Sequence, residues 1–352
     1  MGLELHFEPP NVFRVITKDA EASAGVGEMV IDEPTDLSTA KGGATKGANE
    51  TRSRAAKAAS KTMQIYIDGE FRSEADAKIS VFDHGLLYGD GIFEGIRFYN
   101  GRVFRLEEHL ERLWDSARSI CLEIPMTLHK MSDALLATIR QNDLRDGYVR
   151  LIVTRGVGNL GLNPAQCKRP SVIIIATTIA LYPESAYKDG LTVVTCATRR
   201  TGPATLNPAV KSLNYLNNVL ARIEANLAGA DEALMLNEAG NVSECTADNI
   251  FIIKRGHIFT PPISAGALRG ITRSVVFDIS AELGIKISET QITRHDVFIA
   301  DECFLTGTAA EIIPVIKADG RTIGTGKPGA ISARMIGRFR EITRETGTPI
   351  FS

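Results

Sequence analysis

Lys211 is the residue in this chain with the most chemistry to offer. It stands between Asn207-Pro208-Ala209-Val210 and Ser212-Leu213-Asn214-Tyr215-Leu216. A lysine is usually a solvated surface charge. Here apolar neighbours on both sides would hold the amine away from water. A desolvated amine gives up its proton more readily, which is the state a Schiff-base nucleophile requires. Glu244, in Asn241-Val242-Ser243-Glu244-Cys245-Thr246, follows a glycine turn. Such a glutamate is often no more than a cap or a surface charge. Opposite a pyridine-type nitrogen it would instead keep that nitrogen protonated and make the ring an electron sink.

Three further features could hold an anion. Gly270-Ile271-Thr272 opens a helical pattern, and its first backbone N–H groups with the Thr272 hydroxyl would form a phosphate cradle. The small-residue loop Thr306-Gly307-Thr308-Ala309-Ala310 could aim further amides at negative charge. Arg112 lies on an amphipathic stretch, where a guanidinium is either solvated or suited to bidentate phosphate binding.

These residues need elements to position them. Gln64-Ile65-Tyr66-Ile67, the Asp68-Gly69 turn and Glu70-Phe71-Arg72 predict a hairpin. Leu106, Leu110, Leu113, Ala117 and Ile120 recur at helical spacing within residues 104–122, and a second helix is expected over 131–142. Residues 148–155 and 172–177 read as buried strands. A polar stretch near 181–190 predicts a domain boundary. Beyond it come a strand at 191–194, a helix over 217–227, strands at 233–236, 249–253 and 257–260, and a helix over 270–283. Residues 297–305 lead into the 306–310 loop. Mixed short strands and helices without regular βαβ alternation predict an α+β protein. The expected division is a smaller N-terminal α/β domain over 63–183 and a larger C-terminal domain over 184–350.

Residues 1–62 differ from the rest, because 38–62 contains almost no bulky apolar side chain and is expected to be disordered. A basic docking arm or a cleaved targeting segment are the other readings. Met63, heading the first patterned strand, is itself a candidate start. Of the 352 residues, 44% are hydrophobic and 23% charged, with a net charge of −2. No basic footprint for nucleic acid is present, and no apolar run approaches the roughly 20 residues that span a bilayer. Five scattered cysteines and six dispersed histidines lack metal-ligand spacing and fit reduced thiols in the cytoplasm.

Together the segments SVFDHGLLYGDGIFEGIRFYNGRVFRLEEHLERL (80–113), YVRLIVTRGVGNLGLNP (148–164), KSLNYLNNVLARIEA (211–225), DEALMLNEAGNVSECTADNIFII (231–253), GITR (270–273) and TGTAAEI (306–312) resemble a known group. It is the fold-type IV pyridoxal-phosphate enzymes, with branched-chain and D-amino-acid aminotransferases, and the resemblance runs from Met63 to about residue 345. It implies two domains, the second a pseudo-barrel, with pyridoxal 5'-phosphate on Lys211. Glu244 would face the pyridine nitrogen and Tyr215 the phenolic oxygen. Arg112, Ile271, Thr272 and Thr308 would hold the phosphate, and Leu268 would pack on the ring. Tyr88, Phe93, Arg97, Tyr148 and Arg150 would line the substrate pocket. The amides of Thr308 and Ala309, with Tyr148, would receive the substrate carboxylate. A homodimer or larger homo-oligomer is implied.

Within that group, D-amino-acid enzymes place an arginine and a histidine after the RG of the segment here written TRGVGNLGL. Val157-Gly158-Asn159-Leu160-Gly161-Leu162 offers neither. The resemblance therefore implies amino transfer between leucine, isoleucine or valine and 2-oxoglutarate, by a ping-pong mechanism. Arg97 and Arg150 would serve the distal carboxylate of glutamate. A D-amino-acid aminotransferase and an aminodeoxychorismate lyase of the same fold are the alternatives.

Overall fold

The structure, a computed structural model, describes residues 62–351. The expectations for residues 1–61 lie outside the described residues. The described residues form one compact unit built on two sheets.

The first sheet has seven strands, in the spatial order Thr348–Pro349, Arg102–Val103, Gly91–Tyr99, Gly147–Thr154, Ser171–Thr177, Gln64–Ile67, Glu70–Ser73. Gly91–Tyr99 alternates with period two. Ile92, Ile96 and Phe98 point into the core, where they meet the helix Leu106–Ser119. That helix buries Leu106, Leu110, Leu113 and Ala117, the expected stripe, and it ends sooner than the sequence pattern predicted. A second helix, Leu128–Gln141, starts where the Thr127 side chain accepts from Lys130 N. The outermost strand of this sheet, Thr348–Pro349, comes from the far end of the chain, and Ile350 joins the same core.

The second sheet has nine strands. Eight follow in the order Ile287–Glu289, His257–Thr260, Asn249–Lys254, Glu302–Gly307, Glu311–Ala318, Leu191–Thr195, Glu232–Leu236, Val242–Cys245, and Arg321–Thr322 pairs beside Glu311–Ala318. Leu191–Thr195 and Glu232–Leu236 are parallel and joined through the helix Leu216–Leu227, and His257–Thr260 and Ile287–Glu289 are likewise parallel and joined through the helix Ile271–Glu282, two βαβ crossovers in an otherwise mostly antiparallel sheet. Lys211 rides on the first crossover.

Two sequence expectations change here. Thr306 and Gly307 are not loop residues. They end the strand Glu302–Gly307, and Thr306 pairs with Ile312 and Gly307 with Glu311. The turn itself is Thr308-Ala309-Ala310. Glu311, which follows the turn and pairs with Gly307, sits in the left-handed region at φ 60°. The approach to this strand also contains a short helix, Arg294–Phe298, capped reciprocally by Thr293 and Asp296. A helix over Ala330–Glu345, unassigned from the sequence, buries Ser332, Met335, Phe339 and Thr343. Its first amides are received by the Glu302 carboxylate, 3.1 Å from Ile331 N and 2.7 Å from Ser332 N.

Candidate active site

A cavity of about 560 Å³ is lined by residues of both sheets, the crossover and the start of the helix Ile271–Glu282. Lys211 enters it on an irregular segment pinned at three backbone points. Phe93 N donates to Lys211 O at 3.0 Å, Lys211 N donates to Ser116 Oγ at 3.2 Å, and Ser212 bridges to Ile92. The chain is thus held rigidly, while the Lys211 amine is free to project. Its Nζ lies 3.1 Å from Tyr215 Oη and 4.6 Å from the centre of the Phe93 ring.

Glu244 faces the same cavity from the strand Val242–Cys245 and is almost fully buried. Its Oε1 pairs with Arg200 at 2.8 Å. Its Oε2 accepts from Leu268 N at 2.8 Å and Asn249 Nδ2 at 3.2 Å. Burial raises its affinity for a proton, and Arg200 with the Leu268 amide opposes that shift; the net direction is upward. Arg200, itself buried, was not among the residues singled out from the sequence. Leu268 contributes a backbone amide to Glu244 as well as its side chain to the wall.

At one end of the cavity Gly270 is the N-cap of the 12-residue helix Ile271–Glu282, and no side chain caps it. The amides of this first turn therefore remain available, with Thr272, Thr308 and Arg112 in the same wall. The sequence predicts an anion cradle at this helix start.

Arg112 does not stand alone. Its Nε and Nη2 grip both oxygens of Glu94 at 2.8 Å, and Nη1 donates to Arg269 O. Glu94 also meets His109 Nδ1 at 2.8 Å. Burial alone would raise the Glu94 carboxyl, but Arg112 and His109 outweigh it and hold the group well below the usual carboxylate range. Glu94 escaped the sequence reading because it sits in an apolar run, on the core face with Ile92 and Ile96. The signal was on the facing helix, where His109, Arg112 and Ser116 recur at i, i+3 and i+7, a polar line beside the buried apolar stripe.

Phe93, Tyr148, Arg150, Thr308 and Ala309 all line the cavity, as do Leu268, Ile271 and Thr272. The Arg150 guanidinium lies 4.6 Å from the centre of the Phe93 ring and has no carboxylate partner among the described residues. Arg97 and Tyr88 are placed differently. Arg97 reaches Ala309 O at 3.5 Å and Glu311 at 3.4 Å, bracing the turn from outside the cavity wall. The Tyr88 hydroxyl donates to Leu160 O at a surface of exposed apolar side chains.

Gly95 explains how Tyr148 reaches the site. A Cβ at Gly95 would stand 2.0 Å from the Tyr148 hydroxyl, so the phenol lies directly over the glycine. Gly95→Ala is expected to displace that hydroxyl and raise KM about tenfold or more, with kcat less affected. Steady-state kinetics of the variant tests this, and an unchanged KM would contradict the placement of Tyr148.

The donor set fits a phosphorylated pyridine aldehyde. It supplies an amine for the aldehyde, a hydroxyl beside it, a buried carboxylate for the ring nitrogen, and an uncapped helix start with an arginine for the phosphate.

Comparison with known proteins agrees. Residues 91–318 match the family model of amino-transferase class IV. A putative branched-chain-amino-acid aminotransferase of Methanocaldococcus jannaschii is 52% identical over 289 residues, covering 82% of this chain and 99% of that protein. The crystal structure of the Escherichia coli branched-chain amino acid aminotransferase superposes with a TM-score of 0.79 at 35% identity, covering 80% of this chain and 95% of that one. The branched-chain amino acid aminotransferase of Thermobaculum terrenum, in its PLP-bound holo form, gives a TM-score of 0.75 at 29% identity, covering 83% of this chain and 99% of that one. This chain belongs to the class IV aminotransferases.

Proposed function

We propose that the protein transfers the amino group of leucine, isoleucine or valine to 2-oxoglutarate, with pyridoxal 5'-phosphate carried on Lys211. The observation that supports this most directly is that the Lys211 amine and the Glu244 carboxylate face one cavity whose end is an uncapped helix N-terminus. When bound, the cofactor withdraws electrons from the Cα–H bond of the amino acid through its protonated ring.

The chain's own groups do the rest. Lys211 would hold the cofactor through its amine, and the same Nζ would carry the proton taken from the substrate Cα. Tyr215, beside that amine, hydrogen-bonds the phenolic oxygen. Glu244, kept in place by Arg200, faces the ring nitrogen, and Leu268 packs on the ring. Arg112, Ile271, Thr272 and Thr308 hold the phosphate. The Thr308 and Ala309 amides, with Tyr148, receive the substrate carboxylate, and Arg97 fixes their turn. Amino acid and oxo acid use the site in succession, so a ping-pong pattern is expected.

The side-chain pocket brings Phe93, Tyr148, Ile152 and Leu181 together with the Arg150 cation. The apolar groups suit branched aliphatic chains, with weak discrimination of about 1–3 kcal/mol per methylene. Arg150 suits the distal carboxylate of glutamate. The test is a panel of L-leucine, L-valine, D-alanine and aminodeoxychorismate. Turnover of the first two with 2-oxoglutarate is expected, and pyruvate release from the last would overturn the reading. Arg150→Ala is expected to raise the KM for 2-oxoglutarate more than tenfold while changing that for leucine far less.

Around this core we infer two lobes, 63–183 and 184–350, and a reducing cytoplasmic setting in keeping with five unpaired cysteines. No helix among the described residues is long and apolar enough to cross a membrane. We also infer a homodimer or larger assembly. Segments 81–86 and 157–162 lie side by side, linked by Gly158 N to Phe82 O, and expose Val81, Phe82, Leu86, Leu160 and Leu162 to an extent that calls for a covering surface. Tyr88 belongs to that same face.

A further inference from the structure

Asp248 is a carboxyl in the cavity wall for which the roles above leave no use. It is only 3% exposed, and its Oδ2 has no hydrogen-bond partner among the described residues. Its Oδ1 presses on Gly307, since a Cβ there would stand 1.9 Å from that oxygen. Asp248 therefore abuts the residue that precedes Thr308 and Ala309. Thr306 Oγ1, in the same corner, is also buried without a partner.

The groups packed around Asp248 decide its charge. Glu244 and the Cys245 thiol face it from the strand Val242–Cys245, and Glu232 from the neighbouring strand. Tyr182 and Tyr187 approach from the linker and the short helix Glu184–Asp189. Two cations come near: Lys211 on the crossover and Arg222 on the helix Leu216–Leu227. Arg222 already pairs with Glu232, and Arg200 with Glu244. None of the ion pairs among the described residues involves Asp248. Burial first, and then Glu232 and Glu244, push its carboxyl up to about 8.

We infer that Asp248 controls entry of the substrate carboxylate to the Thr308–Ala310 turn and admits it only while its own carboxyl is neutral. This rests on the reading that the Thr308 and Ala309 amides receive that carboxylate. A neutral Asp248 lets the amides attract the anion. An ionised Asp248 places a like charge beside it in a site too dry to screen the repulsion. Ligand affinity then falls with the neutral fraction of Asp248.

The test measures the Kd of 4-methylvaleric acid for the holoenzyme at pH 7 and pH 9. This probe is leucine without its amino group, so it is fully ionised throughout and has nothing else to titrate. Wild type is expected to weaken about tenfold over this range, because the neutral fraction falls by that factor. Asp248→Asn and Asp248→Ser, which cannot ionise, are expected to weaken less than twofold. Two non-ionisable variants guard against one failing to fold. Equal weakening in wild type and variants overturns the inference while leaving the carboxylate site intact. Absence of any binding by wild type at pH 7 overturns the carboxylate reading and the inference with it.

Discussion

Lys211→Ala is expected to lower kcat for leucine with 2-oxoglutarate by on the order of 10⁴-fold or more, because one amine both holds the cofactor and moves the proton. The fold should survive the change. The segment is fixed by Lys211 O, Lys211 N and the Ser212 bridge, none of which needs the side chain. The amine donates a single side-chain hydrogen bond, to Tyr215. A thermal midpoint close to wild type alongside lost turnover would separate chemistry from folding. Borohydride reduction of wild-type holoenzyme should leave the cofactor mass on the peptide containing Lys211, and on no peptide of the variant. Full multiple-turnover activity in Lys211→Ala would end the proposed assignment.

The neighbours of Lys211 show what the sequence made legible. Its neighbours Val210 and Leu213 were readable along the chain, although Lys211 itself is only partly buried and Leu216 is exposed. So were the Gly270–Thr272 helix start and the stripe Leu106, Leu110, Leu113, Ala117, since helical periodicity is a short-range signal. What stayed hidden depends on register between distant strands. Gly95 meets Tyr148 because Gly91–Tyr99 pairs with Gly147–Thr154, a relation no local pattern announces. Arg200 reaches Glu244 across 44 positions, and Asp248 meets Gly307 across two strands. Arg97 looked like a substrate cation from its motif. The hairpin that closes at Glu311 draws it onto Ala309 O instead. The helix Ala330–Glu345 carried readable spacing at Met335, Phe339 and Thr343, a local signal that was there to be used.

Glu94→Ala is expected to be the most destabilising single change at the site, by about 3–5 kcal/mol, because it leaves Arg112 as a buried charge without a counterion. The Glu94 side chain is fully buried and Arg112 nearly so, which makes solvent screening weak. His109 loses its partner at the same time. The pH dependence follows from the direction of the Glu94 shift. Its folded-state value lies well below that of an unfolded glutamate, near 4.3. Its contribution is therefore complete at neutral pH and declines progressively as pH falls below about 5, where the unfolded chain takes up protons that the folded one refuses. Denaturant midpoints of wild type and Glu94→Ala should thus differ fully at pH 7 and draw together toward pH 3. Glu94→Gln, which keeps the shape and one acceptor oxygen, should fall between them. A difference under about 1 kcal/mol at pH 7 would mean that Arg112 finds water or another acceptor as readily as Glu94. The cavity end would then be wetter than the buried pair implies. Cofactor affinity supplies the functional counterpart: an Arg112 freed from Glu94 has more orientations open to it, so the phosphate should bind more weakly even where the fold holds.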